Sequence, residues 1–193
     1  RETEVRRILP EMLTIAKTIH KRSPTTQFLL SKSNTLLPSL YEKILLDARP
    51  TYPIQAISNR SYDVFYASDF AMVSSGTATL EAALIGTPFF LLYKTNWSTY
   101  LLGRCLIRVP YLGMVNLLAG KRVVPEFIQH AISPAVIARE AEALLNSPEA
   151  YQQMKKEFAG VREKLGQKGA STRAACAILN SIRQPALLNS SGR

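Results

Sequence analysis

The chain has 193 residues, of which 47% are hydrophobic, enough to bury a sizeable core in one domain or slightly more. No apolar run approaches the ~20 residues that a membrane-spanning helix needs, and no zinc-finger spacing, aromatic-basic pattern or uninterrupted basic run marks a nucleic-acid module. Lys and Arg number 24 against 14 Asp and Glu, and the resulting net charge of +10 favours polyanionic partners or an anionic membrane face.

The first residue is Arg1 rather than Met and a helix-like segment begins almost at once, so the expectation is a fragment of a longer protein, without a signal peptide. Cys105 and Cys176 lack the close Cys or His partners of a zinc site, and are expected to be buried free thiols in a reducing cytoplasm.

In chain order, Thr3 to Lys21 places Val5, Ile8, Leu9, Met12, Leu13, Ile15, Ala16 and Ile19 at three- and four-residue spacing, which predicts an amphipathic helix that tolerates Pro10. Short apolar strands are expected at Gln27–Leu30 and Ile54–Ile57, with helices over Leu36–Ala48 and Arg60–Ser68. A third strand, Phe70–Val73, leads into a helix that stops at Gly86-Thr87-Pro88, and Pro88–Tyr93 carries the strongest strand pattern of the chain. Trp97–Val109 reads as an apolar helix with flanking basic residues, suited to packing on the sheet or to a membrane interface. Gly113–Val115 reads as a last short strand, which would put Asn116 at a strand end. Ser133-Pro134 and Ser147-Pro148 start two helices, a third begins near Gly169, and 185–193 is expected to be a frayed tail.

Helices alternating with continuously apolar strands predict an α/β fold, a Rossmann-like parallel sheet covered on both faces with ligands beyond the carboxyl ends of its strands. The stretch Phe70–Glu81 is a strand, a tight turn around Gly76 and a helix start. Such a turn aims unpaired N–H groups and the positive end of a helix dipole at an anion, usually a phosphate. Glu81, about one turn beyond Thr77, can accept hydrogen bonds from ribose hydroxyls. The same residues also suit an ordinary N-cap, with Ser75 or Thr77 satisfying the free N–H groups and Glu81 solvated.

In order and spacing, Arg1-Glu-Thr-Glu-Val-Arg-Arg-Ile-Leu-Pro10, Ser75-Gly-Thr-Ala-Thr-Leu-Glu81, Gly86-Thr-Pro88, Tyr93-Lys94 and Asn116-Leu-Leu-Ala-Gly120 with Val124-Pro-Glu126 and Gln129 resemble the C-terminal half of the lipid-A-disaccharide synthase family. The resemblance covers about residues 1 to 182 and implies a two-domain GT-B glycosyltransferase. Residues 1–130 would be the nucleotide-sugar-binding domain, lacking its first strand, and 131–184 helices packing on or crossing between the domains.

By that resemblance the enzyme moves 2,3-diacylglucosamine from UDP to the 6-hydroxyl of 2,3-diacylglucosamine 1-phosphate, with inversion and without a metal or other cofactor. Ser75, Gly76 and Thr77 would contact the UDP phosphates and Glu81 the ribose. Arg1 would stabilise diphosphate charge, while Asn116 and Arg122 would hold the sugar or the leaving diphosphate. Lys94, Glu126 and Gln129 are further donor contacts, with a helix start as the other reading of Glu126 and Gln129. The general base is expected in an absent N-terminal domain, since His20 and His130 read as solvated helix histidines, so this half alone should not catalyse transfer. The implied setting is the cytoplasmic face of the inner membrane of a Gram-negative bacterium, in peripheral contact with it, without nucleic acid and with a homodimer left open. Two other readings stand beside this one: another GT-B UDP-sugar transferase or epimerase half, and a non-catalytic nucleotide- or membrane-binding module.

Overall fold

Residues 1–97, 110–166 and 169–183 are described by a computed structural model. The chain divides into two units, Arg1–Arg162 and Glu163–Arg193.

The first unit opens with helix α1, Glu2–Arg22, whose acidic first turn and basic last turn complement the helix dipole. Pro10 lies inside it, and the Thr14 hydroxyl donates to the Pro10 carbonyl at 2.9 Å. The apolar stripe of α1 divides. Ile8 and Ile15 enter the main core, whereas Leu9 and Leu13 pack against Leu40, Tyr41 and Ile44 of α2, Pro38–Ala48.

Strands β1, Phe28–Lys32, and β2, Ile54–Ser58, pair in parallel with Phe28 opposite Ile54. Helix α3, Ser61–Ala67, then returns the chain to β3, Ala71–Ser74. Helix α4, Thr77–Ile85, leads to β4, Phe89–Tyr93, which pairs in parallel with β3 on one side and with β5, Glu126–Ile128, on the other. Phe89, Leu91 and Leu92 of β4 have no exposed surface, as expected of a strand flanked on both edges and covered on both faces. The Phe89 ring stacks on Phe158 at 5.6 Å, and Phe90 meets Phe70 edge-on at 4.8 Å.

Helices α6, Pro134–Leu145, and α7, Pro148–Leu165, follow α5, Met114–Ala119, and send Ile137, Ala141, Met154 and Phe158 into the same core. Helix α1 packs between α2 and α6, while α3 packs on α4 and α4 on α5. The strands are therefore ordered β2-β1 in one sheet and β3-β4-β5 in the other. Parallel strands in two small sheets with helices around them are consistent with the Rossmann-like α/β fold that the sequence predicts, although the strands do not form one sheet. All of β1 and β3 line one cleft of about 1700 Å³, roofed by the apolar face of α1.

Four expectations are corrected. Gly113–Val115 is not a strand: Met114–Ala119 is a helix, and Asn116 lies inside it, with a carboxylate from β5 holding the N–H groups of Leu112 and Gly113 just ahead of it. The last strand is Glu126–Ile128, so Glu126 sits in a strand and Gln129 in the 3-10 turn Gln129–Ala131, neither at an α-helix start. Cys176 is exposed rather than buried, on α8, Ala170–Arg183, while Cys105 lies outside the described residues. His20 is not a solvated helix histidine, since its Nδ1 is buried without a hydrogen-bond partner and its ring lies 6.0 Å from Tyr52 and 6.4 Å from Phe28. His130 is exposed, in the 3-10 turn. The helix expected over Trp97–Val109 falls, beyond the exposed Trp97, outside the described residues.

α8 in the second unit exposes Ile178, Leu179 and Ile182. Among the described residues no helix is long and apolar enough to cross a membrane.

Candidate functional site

The pivotal turn lies at the carboxyl end of β3. Gly76 has φ +149° and ψ −165°, a backbone conformation side-chain-bearing residues rarely adopt, and a Cβ there would meet nothing within 4 Å. Conformation, not space, therefore selects glycine. Thr79 is fully buried and fixes the turn: its hydroxyl donates to the Gly76 carbonyl at 2.7 Å and its N–H donates to the same oxygen at 3.2 Å. Gly76 itself is the N-cap, and no side chain caps α4. The ordinary N-cap arrangement, with Ser75 or Thr77 closing the helix end, is not formed. The other end of α4 is closed by Gly86 in the left-handed region, whose N–H donates with that of Thr87 to the Ala82 carbonyl, and the Thr87 hydroxyl donates to the Phe65 carbonyl at 2.7 Å.

Ser75, Gly76, Thr77 and Glu81 line the same cleft as Arg1. Gly76 and Thr77 are exposed, Ser75 and Glu81 half-buried. An uncapped helix start, an arginine and a carboxylate thus line one cleft. The first two suit an anion and the third suits hydroxyl donors.

Asn116 and Glu126 form a second cluster. Asn116 is completely buried: its Nδ2 donates to the Val124 carbonyl and to Glu126 Oε1, both at 2.8 Å, and its Oδ1 accepts from the N–H groups of Val123 at 2.7 Å and Val124 at 2.9 Å. Every donor and acceptor of that amide is used within the protein. Glu126 also accepts from the N–H groups of Leu112 and Gly113, each at 2.9 Å, and so holds the chain just ahead of α5. Gly113 is required by space, because a Cβ would fall 2.7 Å from Leu91 Cδ1 and 3.0 Å from Glu126 Oε1.

Lys94, just past β4, pairs with Glu11 of α1. Thr95 beside it is held by Gln129, whose Oε1 accepts from the Thr95 N–H at 3.1 Å and whose Nε2 donates to the Thr95 carbonyl at 3.0 Å. Gln129 does this from a left-handed backbone, φ +54°. Arg122 is exposed and does not line the cleft. The nine candidates thus fall into a group at the cleft (Arg1, Ser75, Gly76, Thr77, Glu81), a pair beneath α5 (Asn116, Glu126), and Lys94 and Arg122 apart from both. Sequence reasoning passed over Thr79, Glu11 and Gly113. Of these only Gly113 carries a local signal, as a glycine ahead of an apolar run.

The family model described as lipid-A-disaccharide synthetase matches residues 1–180. The chain belongs to the lipid-A-disaccharide synthase family. It is 42% identical over 184 residues to the lipid-A-disaccharide synthase of Syntrophus aciditrophicus, covering 95% of this chain and 48% of that protein. The corresponding protein of Nitrosococcus oceani is 41% identical over 166 residues, 86% of this chain and 42% of its own length. That of Anaeromyxobacter dehalogenans is 36% identical over 183 residues, 95% of this chain and 48% of its own. The chain spans about half the length of the curated relatives it matches. Both clusters of this family member, at Gly76 and beneath α5, lie within the matched residues.

Proposed function

We propose that this chain is the UDP-binding half of a lipid-A-disaccharide synthase, a glycosyltransferase that moves 2,3-diacylglucosamine from its UDP donor to the 6-hydroxyl of 2,3-diacylglucosamine 1-phosphate. The observation that carries the reading is the uncapped start of α4 at Gly76, just past the carboxyl end of β3, in a cleft that Arg1 and Glu81 also line. In the transfer the bond from the anomeric carbon to the diphosphate oxygen breaks, its electron pair leaves with UDP, and the acceptor oxygen bonds the anomeric carbon from the opposite face. The departing charge must meet donors already in place, and N–H groups at a helix start together with a guanidinium are such donors.

In this account Ser75, Gly76 and Thr77 bind the phosphates, Arg1 neutralises the leaving diphosphate, and Glu81 accepts from the ribose hydroxyls. Asn116 and Glu126, with their polar atoms committed to the chain itself, are positioning residues that hold the loop around Arg122, whose exposed side chain lies outside the cleft. Lys94 and Gln129 fix the chain after β4 in the same way. The base that takes the acceptor's proton belongs to the other half of the protein. The net charge of +10 suits a peripheral position at the anionic inner face of the inner membrane.

The test is transfer by the full-length protein, read as UDP released from acylated UDP-glucosamine in the presence of diacylglucosamine 1-phosphate. Turnover that needs both acyl-bearing substrates, with a raised donor KM in Glu81→Gln, is expected. Turnover of plain UDP-glucosamine alone would place the protein among other UDP-sugar enzymes.

A further inference from the structure

Among the polar residues of α4, Thr77 is exposed, Glu81 is half-buried and Thr79 has no exposed surface. A buried helical position is filled at lower cost by Ala or Leu, since Thr is β-branched and brings a hydroxyl that must find a partner. That hydroxyl goes to the Gly76 carbonyl, which also accepts from the Thr79 N–H. The Gly76 carbonyl and the Thr77 N–H belong to one planar trans peptide and point in opposite directions. With the carbonyl turned into the helix, the Thr77 N–H is turned out of it. Among the described residues neither this N–H nor that of Ala78 has an acceptor, and Gly76, Thr77 and Ala78 all line the cleft. Gly76 does not hold the peptide plane by itself: it has no side chain to restrict rotation, and a Cβ there would meet nothing within 4 Å.

We infer, on the reading of the Gly76 turn as the diphosphate site, that Thr79 is a positioning residue for the donor, its buried hydroxyl acting through the Gly76–Thr77 peptide to keep the Thr77 N–H aimed at the diphosphate. Two effects act together. The second hydrogen bond to the carbonyl restrains a peptide that glycine leaves loose. It also polarises that peptide, and a carbonyl engaged by two donors makes the N–H across the same bond a stronger donor. The leaving diphosphate gains charge as the anomeric bond breaks, so a donor fixed in advance counts for more in the transition state than in the ground state. Loss of the hydroxyl therefore lowers kcat as well as donor affinity.

Two substitutions in the full-length protein separate the hydroxyl from the methyl group. Thr79→Val keeps the volume and drops the hydroxyl, whereas Thr79→Ser keeps the hydroxyl and drops the methyl. In calorimetric titration, Thr79→Val should weaken UDP binding about tenfold, and Thr79→Ser should stay within about threefold of the parent. Uridine, which has no phosphate and is followed by NMR titration, should bind Thr79→Val within about twofold of the parent. In the transfer assay kcat should fall in Thr79→Val and recover in Thr79→Ser. Where Thr79→Val does not fold, Thr79→Ala takes its place with the same expectation against Thr79→Ser. A hydroxyl that only satisfies itself within the helix gives the reverse order, with valine equal to the parent and serine weaker, and that result would overturn the inference. Equal weakening of UDP and uridine in Thr79→Val would overturn it as well, because the effect would not be on the phosphates. A folded parent that binds no UDP would remove the diphosphate site itself, whereas UDP binding that Thr79→Val leaves unchanged would remove only the role of Thr79.

Discussion

Asn116 donates to Glu126 Oε1 at 2.8 Å while the same oxygen accepts from the N–H of Gly113, just ahead of the helix in which Asn116 lies, so the two residues lock α5 onto β5. Neither side chain reaches outward. Truncating Asn116 to Ala strands the buried N–H of Val124 and the carbonyl it faces, at ~1 to 3 kcal/mol for each unmatched group. Chemical denaturation of Asn116→Ala should show a loss of at least ~2 kcal/mol, and Asn116→Asp should do no better, because it sets a second carboxylate against Glu126. A stable Asn116→Ala protein with collapsed turnover would instead argue for direct contact with substrate.

Gly113→Ala tests the same lock from the other side. The new methyl group would press on Leu91, which has no exposed surface and no room to yield, and on the Glu126 carboxylate. A cost of ~1 to 3 kcal/mol in the denaturation midpoint is expected. A neutral substitution would show that α5 can shift away from β5.

The extent to which these features were legible in the sequence follows from how local their causes are. The stop of α4 at Gly86, the buried run of β4 and the Pro-marked starts of α6 and α7 depend on a few adjacent residues, and the structure has them within a residue or two. Gly113–Val115 misled because the chain ahead of its helix is held by Glu126, thirteen residues on from Gly113, and β5 was missed because only three residues of it pair. At the Gly76 turn the spacing alone allowed either a capped helix or an open one. What separates them is the buried hydroxyl of Thr79, which holds the Gly76 carbonyl and which no local pattern announces.

The hydroxyl of Tyr52 donates to the Leu13 carbonyl at 2.7 Å, and burial pushes its pKa up to about 12 from the ordinary tyrosine value of 10.0. The folded state therefore holds this proton more tightly than the unfolded chain. Its contribution is complete below pH 10.0 and is lost as pH rises from there through about 12. Tyr52→Phe should cost ~1 kcal/mol at neutral pH and make unfolding less sensitive to alkali over that window. An alkaline melting profile identical to that of the parent would refute the assignment.

Phe158 of α7 stacks on Phe89 of β4, with both rings buried. Phe158→Ala removes that contact and opens a cavity beside β4, with a loss of ~3 to 5 kcal/mol expected in thermal or chemical unfolding. Phe158→Leu should recover most of it. Equal losses in the two variants would mean that ring geometry, rather than volume, holds α7.

The central claim is that the Gly76 turn binds the diphosphate of a UDP-sugar, and calorimetric titration of the full-length protein with UDP tests it most directly, beside Glu81→Gln and Gly76→Val. Saturable binding is predicted, weakened in each variant by ~1 to 3 kcal/mol, or about tenfold to a hundredfold in Kd. Unaltered affinity in both variants, or no binding by the folded protein, would contradict the account.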